Sequence, residues 1–97
     1  MPPCKTIRLA SYQGPVNEGR PAENFRRVLN VYDRAARDRA DFICFPECYL
    51  TGYSARAVRE CALRPDDPLL GQLAEHTAGG PVLLVGTALA MDGKTNT

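Results

Sequence analysis

The tightest constraint on the fold is a run of four apolar residues, Phe42-Ile43-Cys44-Phe45, closed by Pro46 and followed at once by Glu47. Apolar side chains at every position, rather than at alternate ones, are expected of a central parallel strand covered on both faces. Pro46 ends the run because its nitrogen has no hydrogen to give to a ladder. A second run, Val82-Leu83-Leu84-Val85-Gly86-Thr87-Ala88-Leu89-Ala90, reads as another two-sided apolar strand.

The segments around these runs alternate helix and strand. Thr6 to Gln13 predicts a first strand, with Ile7, Leu9 and Ser11 on one face and Arg8, Ala10 and Tyr12 on the other. Gly14-Pro15 stops it. Pro21 suits the first turn of a helix, where its missing N–H costs nothing. From there Phe25, Val28, Leu29, Tyr32, Ala35 and Ala36 recur at steps of three and four and share one face. The other side carries Arg26, Arg27, Asn30, Asp33, Arg34 and Arg37, with Glu23–Arg27 and Asp33–Arg37 spaced for ion pairs four apart. Because acidic partners are interleaved, this is a solvated helix face rather than a basic groove.

Arg56 to Leu63 predicts a short helix, and Arg64-Pro65-Asp66-Asp67-Pro68 breaks it. Asp67 is the expected N-cap of a third helix, with Pro68 at its first position and Leu69, Leu70, Leu73 and Ala74 on its apolar side. Gly79-Gly80 terminates it. Asp92-Gly93 is a two-residue hairpin signal, and the partner strand has barely begun at Thr95-Asn96-Thr97.

This order predicts the α/β class, with right-handed crossovers and a mostly parallel sheet bearing a mixed hairpin edge. The helices suffice to cover one face of that sheet, and nothing evident in the sequence covers the other. Residues 1–97 are therefore expected to form the N-terminal portion of a single larger domain, cut in the hairpin after Asp92-Gly93. Alone, such a piece exposes a sheet edge and an apolar face, which favours association.

A net charge of +1, from 12 basic and 11 acidic side chains, supplies no field to attract nucleic acid or an anionic membrane. Met1-Pro2-Pro3-Cys4-Lys5 contains no signal-peptide core, and no stretch reaches the roughly 18 apolar residues of a membrane span. A cytoplasmic protein is the expectation. Cys4, Cys44, Cys48 and Cys61 lack C-x-x-C spacing and have only His76 to join them, so neither a metal nor another cofactor is expected.

The candidate chemistry lies at Glu47. In open α/β sheets, reacting groups gather outside the carboxyl ends of the strands, and Glu47 occupies such a mouth just before a Gly-containing loop. On the bare residues, a solvated loop glutamate is the competing reading. Gly14-Pro15-Val16-Asn17-Glu18-Gly19-Arg20-Pro21 has the glycine spacing of a P-loop but puts Arg20 in place of the lysine and Pro21 in place of the hydroxyl, so it reads as an ordinary turn. A thiol dyad of Cys48 with Glu47 is disfavoured because adjacent residues on extended backbone point to opposite sides. His76, near a helix end, reads as a surface residue favourable to the dipole. Tyr49 and Tyr53 either line a pocket or pack beneath the loop.

Taken together, these residues resemble the opening of the carbon–nitrogen hydrolase family, or nitrilase superfamily. Ile7-Arg8-Leu9-Ala10 resembles its first strand, and Asn24 with Ala35, Ala36 and Ala40 fits its first helix. Phe45-Pro46-Glu47 followed by Thr51-Gly52-Tyr53 matches its first catalytic motif, and Val85-Gly86 through Asn96-Thr97 is similar to its next strand and hairpin. The departures are small: Cys48 stands where the family tolerates various residues, and Lys94-Thr95 precedes Asn96 where an aromatic is common.

The resemblance implies a four-layer αββα sandwich and a Glu, Lys, Cys triad. Only the glutamate maps onto this chain, at Glu47, as general base; Lys5, Lys94 and the four cysteines inherit no role. A carboxylate in an apolar cleft would take the proton of the thiol, and a neighbouring ammonium would stabilise the oxyanion formed at an amide, carbamoyl or nitrile carbon. The implied partners are a small substrate of that kind and further copies of the same protein, as a dimer or higher oligomer. The isolated 97-residue chain is expected to be inactive. The alternative is a catalytically silent fragment or assembly module that keeps the front half of the fold.

Overall fold

The structure, a computed structural model, describes residues 6–96 apart from 92 and 93. Three short strands, β1 (Leu9–Ser11), β2 (Phe42–Cys44) and β3 (Val82–Leu84), form a parallel sheet in the order β1-β2-β3. Leu9 pairs with Phe42 and Val82, Ala10 with Ile43 and Leu83, and Ser11 with Cys44 and Leu84. The apolar run therefore is the central strand. Each crossover contains helix: α1 (Pro21–Arg37) between β1 and β2, and α2 (Ala55–Cys61) with α3 (Pro68–Thr77) between β2 and β3.

Local chemistry explains the helix ends. Pro21 opens α1, and Ser54 caps α2 by accepting the Ala57 N–H at 3.0 Å. Asp67 caps α3 through the Leu69 N–H at 2.8 Å, with Pro68 at the first helical position. At the far end Gly79 takes φ +77°, the left-handed conformation that stops a helix.

Helix α1 buries Asn24, Phe25, Val28, Tyr32 and Ala35, close to the predicted face. Leu29 is half-buried, whereas Ala36 is exposed. One cluster joins Phe25, Val28, Tyr49, Leu50, Leu63 and Leu73; a second joins Tyr32, Ala35, Ala40 and Ile43. Ile43 is 1% exposed, and burial of a side chain of that size contributes about 1.5–3 kcal/mol. Tyr32 sends its hydroxyl to Pro81 O at 2.8 Å, so its ring is buried without an orphaned polar atom.

As expected of a piece whose helices cover one face of the sheet, the other is open among the described residues: Leu9, Val82 and Leu84 are 69%, 47% and 51% exposed on the face opposite Ile43. The residues of the covered face, buried Ile43 with half-buried Ala10 and Leu83, pack in the cluster that holds Tyr32 and Ala35 of α1. The sequence pattern records an apolar face, and the residues here cover only its reverse.

Other expectations are corrected, the first being that Val82–Ala90 forms a single strand. It breaks at 85–88 and resumes as β4 (Leu89–Met91). The break follows from where its backbone groups go: Gly86 O accepts from Leu50 N–H, the Ala88 N–H turns to Thr51 Oγ1, and Ala88 O accepts from Leu63 N–H. Such partners lie off the ladder. Strand β4 pairs antiparallel with β5 (Lys94–Asn96) as a separate two-stranded sheet, so the hairpin is not an edge of the parallel one. Its Asp92-Gly93 turn lies outside the described residues, as do Cys4 and Lys5.

The predicted ion pairs of α1 also rearrange. Glu23 pairs with Arg20 at 3.2 Å, and Asp33 instead shares a hydrogen bond with His76 of α3 at 2.7 Å. Arg27 instead donates to the Tyr12 hydroxyl at 3.1 Å. No helix among the described residues is long and apolar enough to cross a membrane.

Candidate active site

Beyond β2, Phe45 N–H still bonds Leu84 O at 2.9 Å, and Pro46 then ends the ladder. Residues 47–51 form a turn closed by Gly52 N–H to Cys48 O at 2.7 Å. Cys48 sits at φ +53° and Gly52 at φ +105°, so the chain reverses sharply between them. Everything from Cys48 to Gly52 is buried, while Glu47 is exposed.

Glu47 lines an open cleft of about 400 Å³ with Cys48, Val85, Gly86, Thr87 and Leu89. The cleft lies where the broken strand passes the end of β2. It requires Gly86, because a Cβ there would stand 2.8 Å from Cys48 N and 3.5 Å from the Glu47 backbone. The expected carboxylate at the strand mouth is thus present beside a largely apolar wall. The expected burial is not, since Glu47 is exposed, and among the described residues no ion pair includes it.

The turn and the residues after it are held from three segments of the chain. Leu50 N–H bonds Gly86 O at 3.2 Å. Ala88 N–H bonds Thr51 Oγ1 at 3.3 Å. Asn24, fully buried in α1, donates to Leu50 O at 3.1 Å and Asn17 O at 2.8 Å and accepts the Asn17 N–H at 2.9 Å. From the β1–α1 loop, Gly19 N–H bonds Thr51 O at 3.0 Å, and the Glu18 carboxylate accepts Tyr53 N–H at 2.9 Å and Ser54 N–H at 3.0 Å. These two amides, Ser54 first, hold the Glu18 carboxyl below its ordinary range.

The competing readings now separate. Burial pushes the Cys48 thiol up, and the nearby charges of Glu47 and Glu18 push it further, the reverse of what a nucleophile needs. Tyr49 is a packing residue: it is 1% exposed, meets Tyr12 edge-on and Phe45 at a tilt, and donates its hydroxyl to Pro15 O at 3.0 Å. Burial raises its phenol well above the usual value. Tyr53 is half exposed and does not line the Glu47 cleft. His76 meets Asp33, far along the chain from the loop. In the glycine-spaced turn at 14–21 the amides of Asn17, Gly19 and Arg20 bond Asn24 Oδ1, Thr51 O and Asn17 O, and Glu18 is itself an anion that takes the amides of 53 and 54.

Three residues of this arrangement carried no assignment from sequence. Asn24 had a signal: it stands four residues before Val28 and eight before Tyr32, a polar side chain on the buried face. Gly86 interrupts an apolar run, which marks a close backbone approach. Glu18 had none, because its partners lie 35 and 36 residues away.

The family model of the carbon–nitrogen hydrolases matches residues 8–95. Neither the curated proteins nor the solved structures contain a match. With the match spanning nearly the whole sequence, from β1 through the Glu47 loop to the hairpin, this chain belongs to the carbon–nitrogen hydrolase family.

Proposed function

We propose that this chain supplies the general base, Glu47, of a hydrolase that cleaves non-peptide carbon–nitrogen bonds through a Glu, Lys, Cys triad. The observation that carries the reading is the place of Glu47: at the mouth of the central strand of a carbon–nitrogen hydrolase chain, on a turn fixed by Asn24, Thr51 and Gly86, beside an apolar cleft. The lysine and the nucleophilic cysteine are not among the residues of this chain. Cys48, the thiol nearest Glu47, is buried and its pKa is raised, which argues for a nucleophile elsewhere.

In this reading the Glu47 carboxylate accepts the proton of the attacking thiol, and the thiolate adds to the carbon of a small amide, carbamoyl group or nitrile. The proton taken by Glu47 goes to the departing nitrogen, which leaves an amide or carbamoyl substrate as ammonia or an amine; a nitrile gives a thioimidate that takes up water before ammonia leaves, and in each case water then clears the acyl-enzyme. A small amidase or carbamoylase is favoured, acting as a dimer or larger homo-oligomer. The open apolar sheet face around Leu9, Val82 and Leu84 fits a second sheet layer in an αββα sandwich.

The test is ammonia release from propionamide, N-carbamoylglycine and propionitrile by the protein to which this chain belongs. Replacing the base, Glu47→Gln, is expected to lower turnover about 10²–10⁴-fold. Turnover at the wild-type rate would refute the assignment. The isolated chain is expected to release none, and release from it would contradict a triad completed elsewhere.

A further inference from the structure

We infer that Glu18 is the positioning residue of the Glu47 loop, and that its two backbone hydrogen bonds set the direction in which Glu47 faces the cleft. The inference rests on the assignment of Glu47 as base. Loop 47–54 has two ends. The first is fixed by the Gly86 contact and the Leu50 N–H bond to Gly86 O. The second runs into the N-cap of α2 at Ser54, and the two amides before that helix, Tyr53 and Ser54, are taken by Glu18.

Glu18 meets that second end with a two-point grip. Its Oε1 accepts Tyr53 N–H at 2.9 Å and its Oε2 accepts Ser54 N–H at 3.0 Å, so both oxygens serve consecutive amides. The adjoining Gly19 N–H donates to Thr51 O at 3.0 Å, which joins the β1–α1 loop to the Glu47 loop at Thr51, Tyr53 and Ser54. Gly52 makes the approach possible: a Cβ at that position would strike the Glu18 carboxylate and stand 3.0 Å from the Glu18 α-carbon. The φ of +105° at Gly52 is likewise a conformation that side-chain-bearing residues rarely take.

The chemistry of the grip is specific to a carboxylate. Two parallel N–H donors need two acceptors, and an ionised acceptor makes each bond stronger than a neutral one would. Glutamine keeps the length and offers one oxygen, and its NH₂ group would oppose the second amide. Aspartate keeps the charge and is shorter by one methylene. Neither replaces glutamate here.

The experiment compares Glu18→Gln, Glu18→Ala and Asp67→Ala in the full protein, reading amide hydrogen exchange at Tyr53 and Ser54 together with kcat and KM for ammonia release from propionamide. Asp67→Ala removes the cap of α3 and controls for a general loss of stability. Glu18→Gln is expected to speed exchange at both amides about tenfold and to lower kcat about tenfold with KM within about twofold, as for loss of one charged hydrogen bond. Glu18→Ala does at least as much, and Asp67→Ala leaves both readouts at wild-type levels. Unchanged exchange in Glu18→Gln overturns the grip. Faster exchange with unchanged kcat overturns the positioning role. A fully active Glu47→Gln enzyme would remove the assignment of Glu47 while leaving the exchange result to stand or fall by itself.

Discussion

Ile43 and Val28 in the core beneath α1 and residues 48–52 after Glu47 are both shut off from water, yet different forces hold them. Ile43 and Val28, at 1% and 0% exposure, sit among apolar neighbours and depend on burial. Leu50 and Thr51, at 0%, are just as enclosed, but their backbone groups reach Gly86, Asn24 and Gly19 through directional bonds. Apolar packing tolerates small shifts of its members, while a set of hydrogen bonds fixes the path of the chain. The contrast assigns stability to the first region and geometry to the second.

Mutations test that division. Ile43→Ala removes a core side chain and is expected to cost about 2–5 kcal/mol in denaturant unfolding, the largest effect on stability. Exchange at Tyr53 and Ser54 should follow only the global loss; a selective opening of the loop in this variant would break the comparison.

Asn24→Leu keeps the volume of the α1 face and strands Leu50 O, Asn17 O and the Asn17 N–H. The expected cost is about 1–3 kcal/mol, from groups left without partners. Its diagnostic is faster exchange at Leu50, measured against Ile43. Equal changes at both positions would mean that the loop and the core form one cooperative unit.

Acid titration gives a sharper comparison. The Ser54 and Tyr53 amides favour the ionised form of Glu18, so its carboxyl in the fold lies below the ordinary 4.5. The folded state thus sheds this proton more readily than the unfolded chain. The resulting stabilisation is complete above about pH 4.5 and is lost as pH falls through the lowered value. Exchange protection at Tyr53 and Ser54 should fail on that descent before protection at Ile43 does. Simultaneous loss would contradict a separately held loop.

The smallest effect is expected at the Asp33–His76 pair, which joins α1 to α3 at 2.7 Å with side chains 48% and 34% exposed. Asp33→Asn should cost under about 1 kcal/mol, as for other solvent-exposed pairs. A larger loss in thermal unfolding would show that α3 is docked by this pair rather than by Leu73.

What the sequence made legible is what local chemistry decides. The apolar run at 42–45, Pro21 and Asp67-Pro68 each act on neighbours within a turn or two, and the central strand and the two helix starts lie where those residues predict. Glu47 at a strand mouth was legible for the same reason. What the residues lacked was any local trace of distant partners. The break at 85–88 is set by Leu50, Thr51 and Leu63, and the role of Glu18 by amides across the fold. The apolar alternation of Leu9, Val82 and Leu84 announces a face without naming what covers it.

The proton-accepting role of Glu47 is tested most directly by the first turnover. With enzyme in excess over propionamide, rapid-quench measurement of ammonia reports acylation alone. The account predicts that Glu47→Gln slows this first release at least about 100-fold while Asp67→Ala does not. First-turnover ammonia at the wild-type rate from Glu47→Gln would contradict it.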